Sequence, residues 1–184
     1  DWTQFDHPQL GRVEIGGWDP KFCMQNPPPQ FLRQECHKNT IWMMRHAGAL
    51  PEIHITGIEV EDVDALVKRV TAVVENYGYL PTYITNMAKS LGAVRKDVAE
   101  LVPGEGVAVV GKSKQEIDYI EGYLNGGRDR PAKSTVRVTW MIKVTGCGGH
   151  AQGDEGTDRT RSFKVVYKSQ RGGTVEAEKR IGCC

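Results

Sequence analysis

Apolar and polar residues alternate in several stretches of the second half of the chain. In Thr135–Val144 every second residue is apolar, and Ser162–Ser169 repeats the alternation through Phe163, Val165 and Tyr167. Because successive side chains of a strand point to opposite faces, this pattern is typical of a strand with one buried face. Less regular versions predict further strands at Ile53–Val60, Val94–Leu101, Gly106–Val110, Ile117–Leu124 and Thr174–Ile181.

Two other stretches are ambiguous from their pattern alone. Ala65–Glu75 is rich in β-branched residues, which favours a strand over a helix, and Tyr83–Ser90 fits either a strand or a short helix. Glycine and proline pairs between the predicted strands supply the turns. About seven short strands with no long helix between them predict an antiparallel, immunoglobulin-like sandwich. We assign it to residues 52–184, a length that can bury one core.

The first part of the chain follows a different pattern. After Asn26 come three prolines, a helix-start signal, and apolar residues then recur at helical spacing until Pro51. We therefore predict a long helix over about Pro29–Ala49, with Trp42 in a core. Arg12–Ile15, upstream, is predicted as a short buried strand. The expected fold is mainly β: an antiparallel sandwich preceded by one strand and one long α-helix.

Composition narrows the class of protein without identifying it. Hydrophobic residues make up 39% of the 184 residues, charged residues 26%, and the net charge is +1 with acids and bases interspersed. These values are ordinary for a globular protein and argue against a nucleic-acid surface. No apolar run reaches the length of a membrane span, and the first residues lack a signal peptide. Because the chain begins within a motif, we expect it to be processed or truncated.

The cysteines leave their pairing open. Five are present, and the absence of a Cys-x-x-Cys pair argues against a structural zinc site. Cys23 and Cys36 flank a proline-rich loop and could form a disulfide, and Cys147 could reach Cys183 or Cys184. Reduced, buried cysteines are an equally good interpretation, since only spacing supports pairing.

The predicted Arg12–Ile15 strand carries an acid, Glu14, within an apolar run that is closed by two glycines. A buried carboxylate is costly unless it has a partner. The motif His-Pro-x-Leu-Gly-x-Val-Glu-Ile-Gly-Gly, beginning at His7, resembles the strand that holds the catalytic glutamate in bacterial zinc metallocarboxypeptidases of the carboxypeptidase A type. The resemblance implies that Glu14 is the general base in the parent enzyme. His7 would orient the loop or the glutamate, or would be an ordinary surface histidine.

The same resemblance implies that the rest of the active site lies elsewhere. The family binds zinc with a His-x-x-Glu pair and a distant histidine, whereas none of the five histidines here is followed by glutamate three residues later. Residues 1–51 then correspond to the last strand and last helix of the catalytic domain, and residues 52–184 to an appended domain. Zinc would belong to the parent enzyme, and we expect no cofactor in this chain.

A second motif points to the location of the protein. Val-x-Asn-x-Gly-x-Leu-Pro-Thr, from Val74 to Thr82, is similar to a turn in immunoglobulin-like domains of bacterial secreted enzymes. The implied location is extracellular or secreted.

Two hypotheses for function follow. In the first, the chain is the C-terminal fragment of a secreted zinc carboxypeptidase, non-catalytic by itself, and its partner is the missing catalytic domain. In the second, it is a structural subunit that binds copies of itself. The segment Gly11–Gly17 would then add as a strand to another molecule's sheet and extend into an extracellular filament. Neither hypothesis involves nucleic acid or a membrane span.

One loop offers clustered oxygen ligands. Gly146–Asp158 contains His150, Asp154, Glu155 and Asp158 among five glycines, a composition that could bind calcium. The spacing of its acids does not match the helix-loop-helix calcium motif, so a solvated hairpin loop is the better interpretation. We therefore predict no metal site in this chain.

Overall fold

The computed structural model describes residues 1–122, 134–145 and 160–182. The chain divides into two compact units, Asp1–Ala47 and Gly48–Cys184, here called the N-terminal unit and the sandwich. The boundary between these units lies at Ala47, whereas the division expected from sequence is at residue 51.

The N-terminal unit contains a hairpin and a helix. Strands β1 (Thr3–His7) and β2 (Gly11–Ile15) form a two-stranded antiparallel sheet. A π-helical turn at Pro20–Gln25 and a 3-10 turn at Pro29–Phe31 lead into α1 (Leu32–Ala47). The long helix is thus confirmed. The single predicted strand is one half of a hairpin. Its partner, Thr3–His7, was not predicted because its alternation is too weak to be recognised from sequence.

The described part of the sandwich contains eight strands. They are β3 (Ile53–Asp62), β4 (Val67–Asn76), β5 (Asp97–Pro103), β6 (Val107–Val110), β7 (Lys114–Ile117), β8 (Thr135–Val144), β9 (Thr160–Ser169) and β10 (Gly173–Gly182). A short helix, α2 (Asn86–Ser90), follows β4. The strands form two antiparallel four-stranded sheets, ordered β3-β4-β8-β6 and β10-β9-β5-β7. The predicted mainly β, antiparallel sandwich is confirmed.

Both sheets contribute to one apolar core. Val70, Val74, Leu101, Ile142 and Val165 are fully buried in it and come from four different strands. They occupy the apolar phase of each alternating strand, with polar residues on the opposite face. The ambiguous stretch Ala65–Glu75 is largely β4, in line with its β-branched content.

One predicted strand is largely wrong. Only Ile117 of the expected Ile117–Leu124 strand lies in β7, and residues 118–122 form no strand. Ile120 nevertheless is buried. Its carbonyl accepts a hydrogen bond from the Thr82 amide, and its amide donates one to the Thr82 hydroxyl. Its apolar character therefore reflects a core position in an irregular segment rather than strand alternation.

The described helices do not fit a membrane span. α1, with 16 residues, is the longest of them, and none combines the length and the hydropathy that crossing a bilayer requires.

Candidate functional site

Glu14 lies on β2, paired in register with Gln4 of β1. The turn between the strands is held by His7, whose Nδ1 atom accepts hydrogen bonds from the backbone amides of Gln9 and Leu10, each at 3.2 Å. Gly11 enters β2 with a φ of +73°, a conformation that favours glycine. His7 and Gly11 of the resemblance motif thus shape the loop in front of Glu14.

The burial predicted for Glu14 is wrong for this chain. Its side chain is exposed, as are most residues of the hairpin, because no further strand pairs with either edge of this sheet in the part of the chain described. The carboxylate therefore has no desolvation cost here. Its predicted role as a general base remains a prediction about a larger enzyme.

The residues of the described chain do not fit a zinc ion. Within the described ranges, no three His, Cys, Asp or Glu side chains lie close enough together to bind a metal. The predicted Gly146–Asp158 loop, with His150, lies outside the described residues.

The two cysteines in the N-terminal unit are not paired. Cys23 and Cys36 are both exposed, free thiols. The predicted disulfide between them is absent, and so is the burial expected of reduced cysteines. Cys147, Cys183 and Cys184 lie outside the described residues.

The N-terminal unit exposes a large apolar surface. None of its 47 residues is buried, although Trp42 was expected in a core. On α1, Trp42 is 62% exposed and stacks on His46 with ring centres 4.9 Å apart. The exposed large apolar residues are Trp2, Phe5, Leu10, Ile15, Trp18, Phe22, Met24, Phe31, Leu32, Trp42, Met43 and Met44. The N-terminal unit therefore leaves all of its large apolar side chains at least partly in contact with solvent.

The second motif, Val74–Thr82, closes one end of the sandwich around Asn76. The fully buried Asn76 accepts hydrogen bonds through Oδ1 from the amides of Glu52 (3.0 Å) and Gly78 (2.9 Å). Its Nδ2 donates to the carbonyls of Leu80 (2.9 Å) and Glu121 (3.3 Å). A Cβ atom at Gly78 would lie 2.3 Å from the Leu50 carbonyl oxygen, so only glycine fits. The motif is therefore structural: its asparagine joins three chain segments.

A buried acid in the sandwich was missed from sequence. Asp97, at the start of β5, is 1% exposed, and its Oδ2 accepts a hydrogen bond from the Tyr167 hydroxyl at 3.1 Å. Its Oδ1 has no hydrogen-bond partner among the described residues. Burial raises the pKa of Asp97, and the nearby hydroxyls of Ser169, Thr82 and Tyr167 lower it only in part. Burial, together with the Asp97 charge, also raises the pKa of Tyr167 above its usual range. The sequence did hold a signal for its burial, because Asp97 lies on the same face of the strand as the buried Ala99 and Leu101.

Comparisons with known proteins place the sandwich in a family. The profile of a family described as "Domain of unknown function (DUF8731)" matches residues 52–180. No curated protein matches the chain in sequence.

Solved structures give only distant similarities. The yeast GGA1 GAE domain is 8% identical with a TM-score of 0.37, over 71% of this chain and 89% of that domain. β-Glucosidase 3B from Thermotoga neapolitana is 11% identical with a TM-score of 0.25, over 72% of this chain and 17% of the enzyme. The N-terminal domain of the flocculin Flo11 from Saccharomyces cerevisiae is 12% identical with a TM-score of 0.26, over 76% and 72%. These scores are too low to carry an argument about function.

Proposed function

We infer that this chain, which belongs to the DUF8731 family, is the C-terminal part of a secreted zinc carboxypeptidase. In this proposal the N-terminal unit supplies the last strand and helix of the catalytic domain, with Glu14 as general base. The sandwich is an appended module. The proposal rests on the resemblance of the motif from His7 to Gly17, together with one structural observation.

That observation is the absence of burial in Asp1–Ala47. A strand, a helix and a dozen large apolar side chains occur in a unit in which no residue is buried. Apolar surface of this extent is stabilised by removal from water, at about 25 cal/mol per Å². The unit therefore has the properties of one layer of a larger fold. A catalytic domain that lacks its last strand and helix is a partner of that kind.

The proposal assigns no chemistry to this chain alone. The described residues provide no set of zinc ligands, so the ligands must come from the remainder of the enzyme. A direct test is to incubate the chain with zinc and a peptide substrate. We expect no release of C-terminal amino acids. Zinc-dependent release would contradict the proposal.

A fusion tests the positive part of the proposal. The chain is joined to a zinc carboxypeptidase catalytic domain from which the last strand and last helix have been removed. We expect peptidase activity that falls roughly 10²–10⁴-fold in Glu14→Gln, because a positioned general base is lost. Glu35→Gln, a control on α1 that removes an ion pair with Lys38, should keep its activity. Equal activity of the two variants would remove Glu14 from the mechanism.

Self-assembly into an extracellular filament is a second candidate. Among the described residues β1 and β2 pair only with each other, so the outer edge of each strand can still accept another strand. Size-exclusion chromatography and electron microscopy of the chain would reveal assemblies, which deletion of residues 1–17 should abolish. A monomer at all concentrations would contradict this candidate.

A further inference from the structure

An open hollow lies on the sandwich, beside the turn that follows Thr82. Its volume is about 320 Å³, at the lower end of ligand-binding pockets. Tyr83 and Val94, both nearly buried, contribute to its lining. The complete lining is Leu50, Tyr83, Ile84, Thr85, Ala88, Val94 and Arg171. Five of these seven residues are aliphatic or aromatic, so the hollow suits an apolar group.

Backbone strain occurs in the wall of this hollow. Ile84 has a φ of +63°, the one non-glycine residue with positive φ in the described chain. A β-branched residue is a genuine outlier there, and such strain costs on the order of 1–3 kcal/mol. The turn is held by hydrogen bonds from Ile84 to Pro81 (2.8 Å) and from Thr85 to Tyr83 (2.7 Å). Strain that the surrounding structure maintains in this way is characteristic of binding sites.

The edge of the hollow is positively charged. Arg171 is exposed in the turn between β9 and β10, and its guanidinium has no hydrogen bond or ion pair within the described ranges. Arg95 follows Val94, and its amide donates to the Gln170 side chain at 2.9 Å, which brings that segment beside the Arg171 turn. Lys89 Nζ lies 5.0 Å from the centre of the Tyr83 ring. None of these three cations is paired with a carboxylate in the described part of the chain.

The nearby acids are already engaged. The Tyr83 hydroxyl donates to both carboxylate oxygens of Glu121, at 2.8 and 3.1 Å. Asp118 is paired with Lys96 at 3.2 Å. Glu121 keeps its negative charge, but its carboxylate is bound by the Tyr83 hydroxyl. The Arg171 guanidinium, at the edge of the hollow, has no carboxylate partner among the described residues, which favours an anionic ligand there.

We propose that this hollow binds the carboxyl terminus of a peptide, with an apolar last side chain against Ile84 and Val94 and the terminal carboxylate on Arg171. A guanidinium presents a planar pair of donors that matches a carboxylate. In a terminal residue the carboxylate and the side chain are attached to the same Cα atom. Arg171 and the apolar residues likewise line the same hollow. The proposal concerns the sandwich alone and does not depend on the role proposed for Glu14.

A fatty acid also combines a carboxylate with an apolar group. A hollow of about 320 Å³ that opens to solvent holds one or two side chains, whereas a long acyl chain needs a deeper cavity. The volume therefore favours a peptide terminus, and the experiment includes a fatty acid as a separate arm.

The test uses the full chain and a fluorescent pentapeptide that ends in phenylalanine, with the amidated peptide for comparison. By fluorescence anisotropy, we expect the acid to bind about tenfold more tightly than the amide, because a charge-assisted hydrogen bond is lost in the amide. Arg171→Gln should abolish this difference, and Arg171→Lys should keep part of it. Arg69→Gln, on β4 in an ion pair with Glu61 at 3.2 Å, is the matched control and should bind like the wild type.

A second variant tests the apolar half of the site. Ala88→Phe adds bulk to the lining and should abolish binding of both peptides, while the melting temperature of the chain shows whether it still folds. Equal binding of acid and amide to the wild type would overturn the proposal. So would tighter binding of dodecanoate than of the peptide. Concentration-dependent self-association without peptide binding would assign the hollow to a second copy and would also overturn it.

Discussion

The N-terminal unit and the sandwich contain the same kinds of apolar side chain, but only the sandwich buries them. Leu101 of β5 is 0% exposed, while Leu32 of α1 is 48% exposed. Both lie in regular secondary structure that the sequence pattern predicts. The comparison shows that periodicity specifies an element and its apolar face, whereas burial depends on a second surface that covers this face. In the sandwich each sheet covers the other.

The difference also separates two kinds of motif. The motif around Asn76 is satisfied inside the sandwich, where every polar atom of its amide has a partner. The motif around Glu14 shapes its own turn but leaves its carboxylate in solvent. We infer that the first motif serves the fold of this chain, and that the second has its use in a larger assembly.

Truncating one leucine in each unit should give the largest difference in the free energy of unfolding between the two units. Leu101→Ala removes buried methyl groups and leaves a cavity, so we expect the free energy of unfolding to fall by about 3–4 kcal/mol. Leu32→Ala removes the same atoms from an exposed position and should change it by less than about 0.5 kcal/mol. Urea denaturation followed by circular dichroism measures both. A large effect of Leu32→Ala would mean that the N-terminal unit has a core of its own.

Asparagine provides the next matched pair. Asn76→Ala leaves the Glu52 and Gly78 amides and two carbonyls without the side chain that pairs with them, and we expect a loss of about 2–3 kcal/mol. Asn39 on α1 is exposed and donates to the Glu35 carbonyl at 2.8 Å, and Asn39→Ala should be neutral or slightly stabilising, since alanine favours helix. The same denaturation experiment applies. If Asn76→Ala were neutral, water would be able to replace the amide, and the end of the sandwich would be less closed than its hydrogen bonds indicate.

Strand positions were predictable where alternation is strict. β8 matches the predicted Thr135–Val144, and β3, β9 and β10 begin and end near the predicted positions. The register of these strands is determined by one buried face, and the alternation of apolar and polar residues shows which face that is. β7 was misplaced because Ile120 is a core residue without strand geometry. The sequence pattern alone does not distinguish a buried residue of a strand from a buried residue of an irregular segment.

The candidate sites were less predictable for a related reason. Sequence identified Glu14 but assigned it to a buried strand, because the partner that would bury it is not encoded within the motif. The hollow beside Ile84 brings together Leu50, Val94 and Arg171, which lie far apart in sequence. No local pattern predicts such a contact. Asp97 could have been found, since it shares the buried phase of β5.

Two aspartates should give the smallest difference in stability between the units, and this difference should depend on pH. Burial raises the pKa of Asp97 in the folded chain above its ordinary value of 3.8. Its contribution to stability is then fully present below pH 3.8 and is lost as pH rises through the folded-state pKa. Asp97→Asn cannot ionise and still accepts from Tyr167. We therefore expect this variant to be more stable than the wild type at pH 7, by about 1 kcal/mol. The advantage should disappear toward pH 3.8.

Asp6 of β1 is exposed, and Asp6→Asn is the matched control in the other unit. Its effect on the free energy of unfolding should stay within about 0.5 kcal/mol from pH 4 to pH 8. Thermal unfolding of the three proteins across this range gives the comparison. A wild type more stable than Asp97→Asn at pH 7 would mean that the ionised carboxylate is stabilised inside the sandwich. The acid would then be a structural ion in a polar site, and its unpaired Oδ1 would need a partner such as a buried water. The expected order would instead mean that burying the Asp97 side chain costs the sandwich stability, a cost that the exposed Asp6 of the N-terminal unit does not carry.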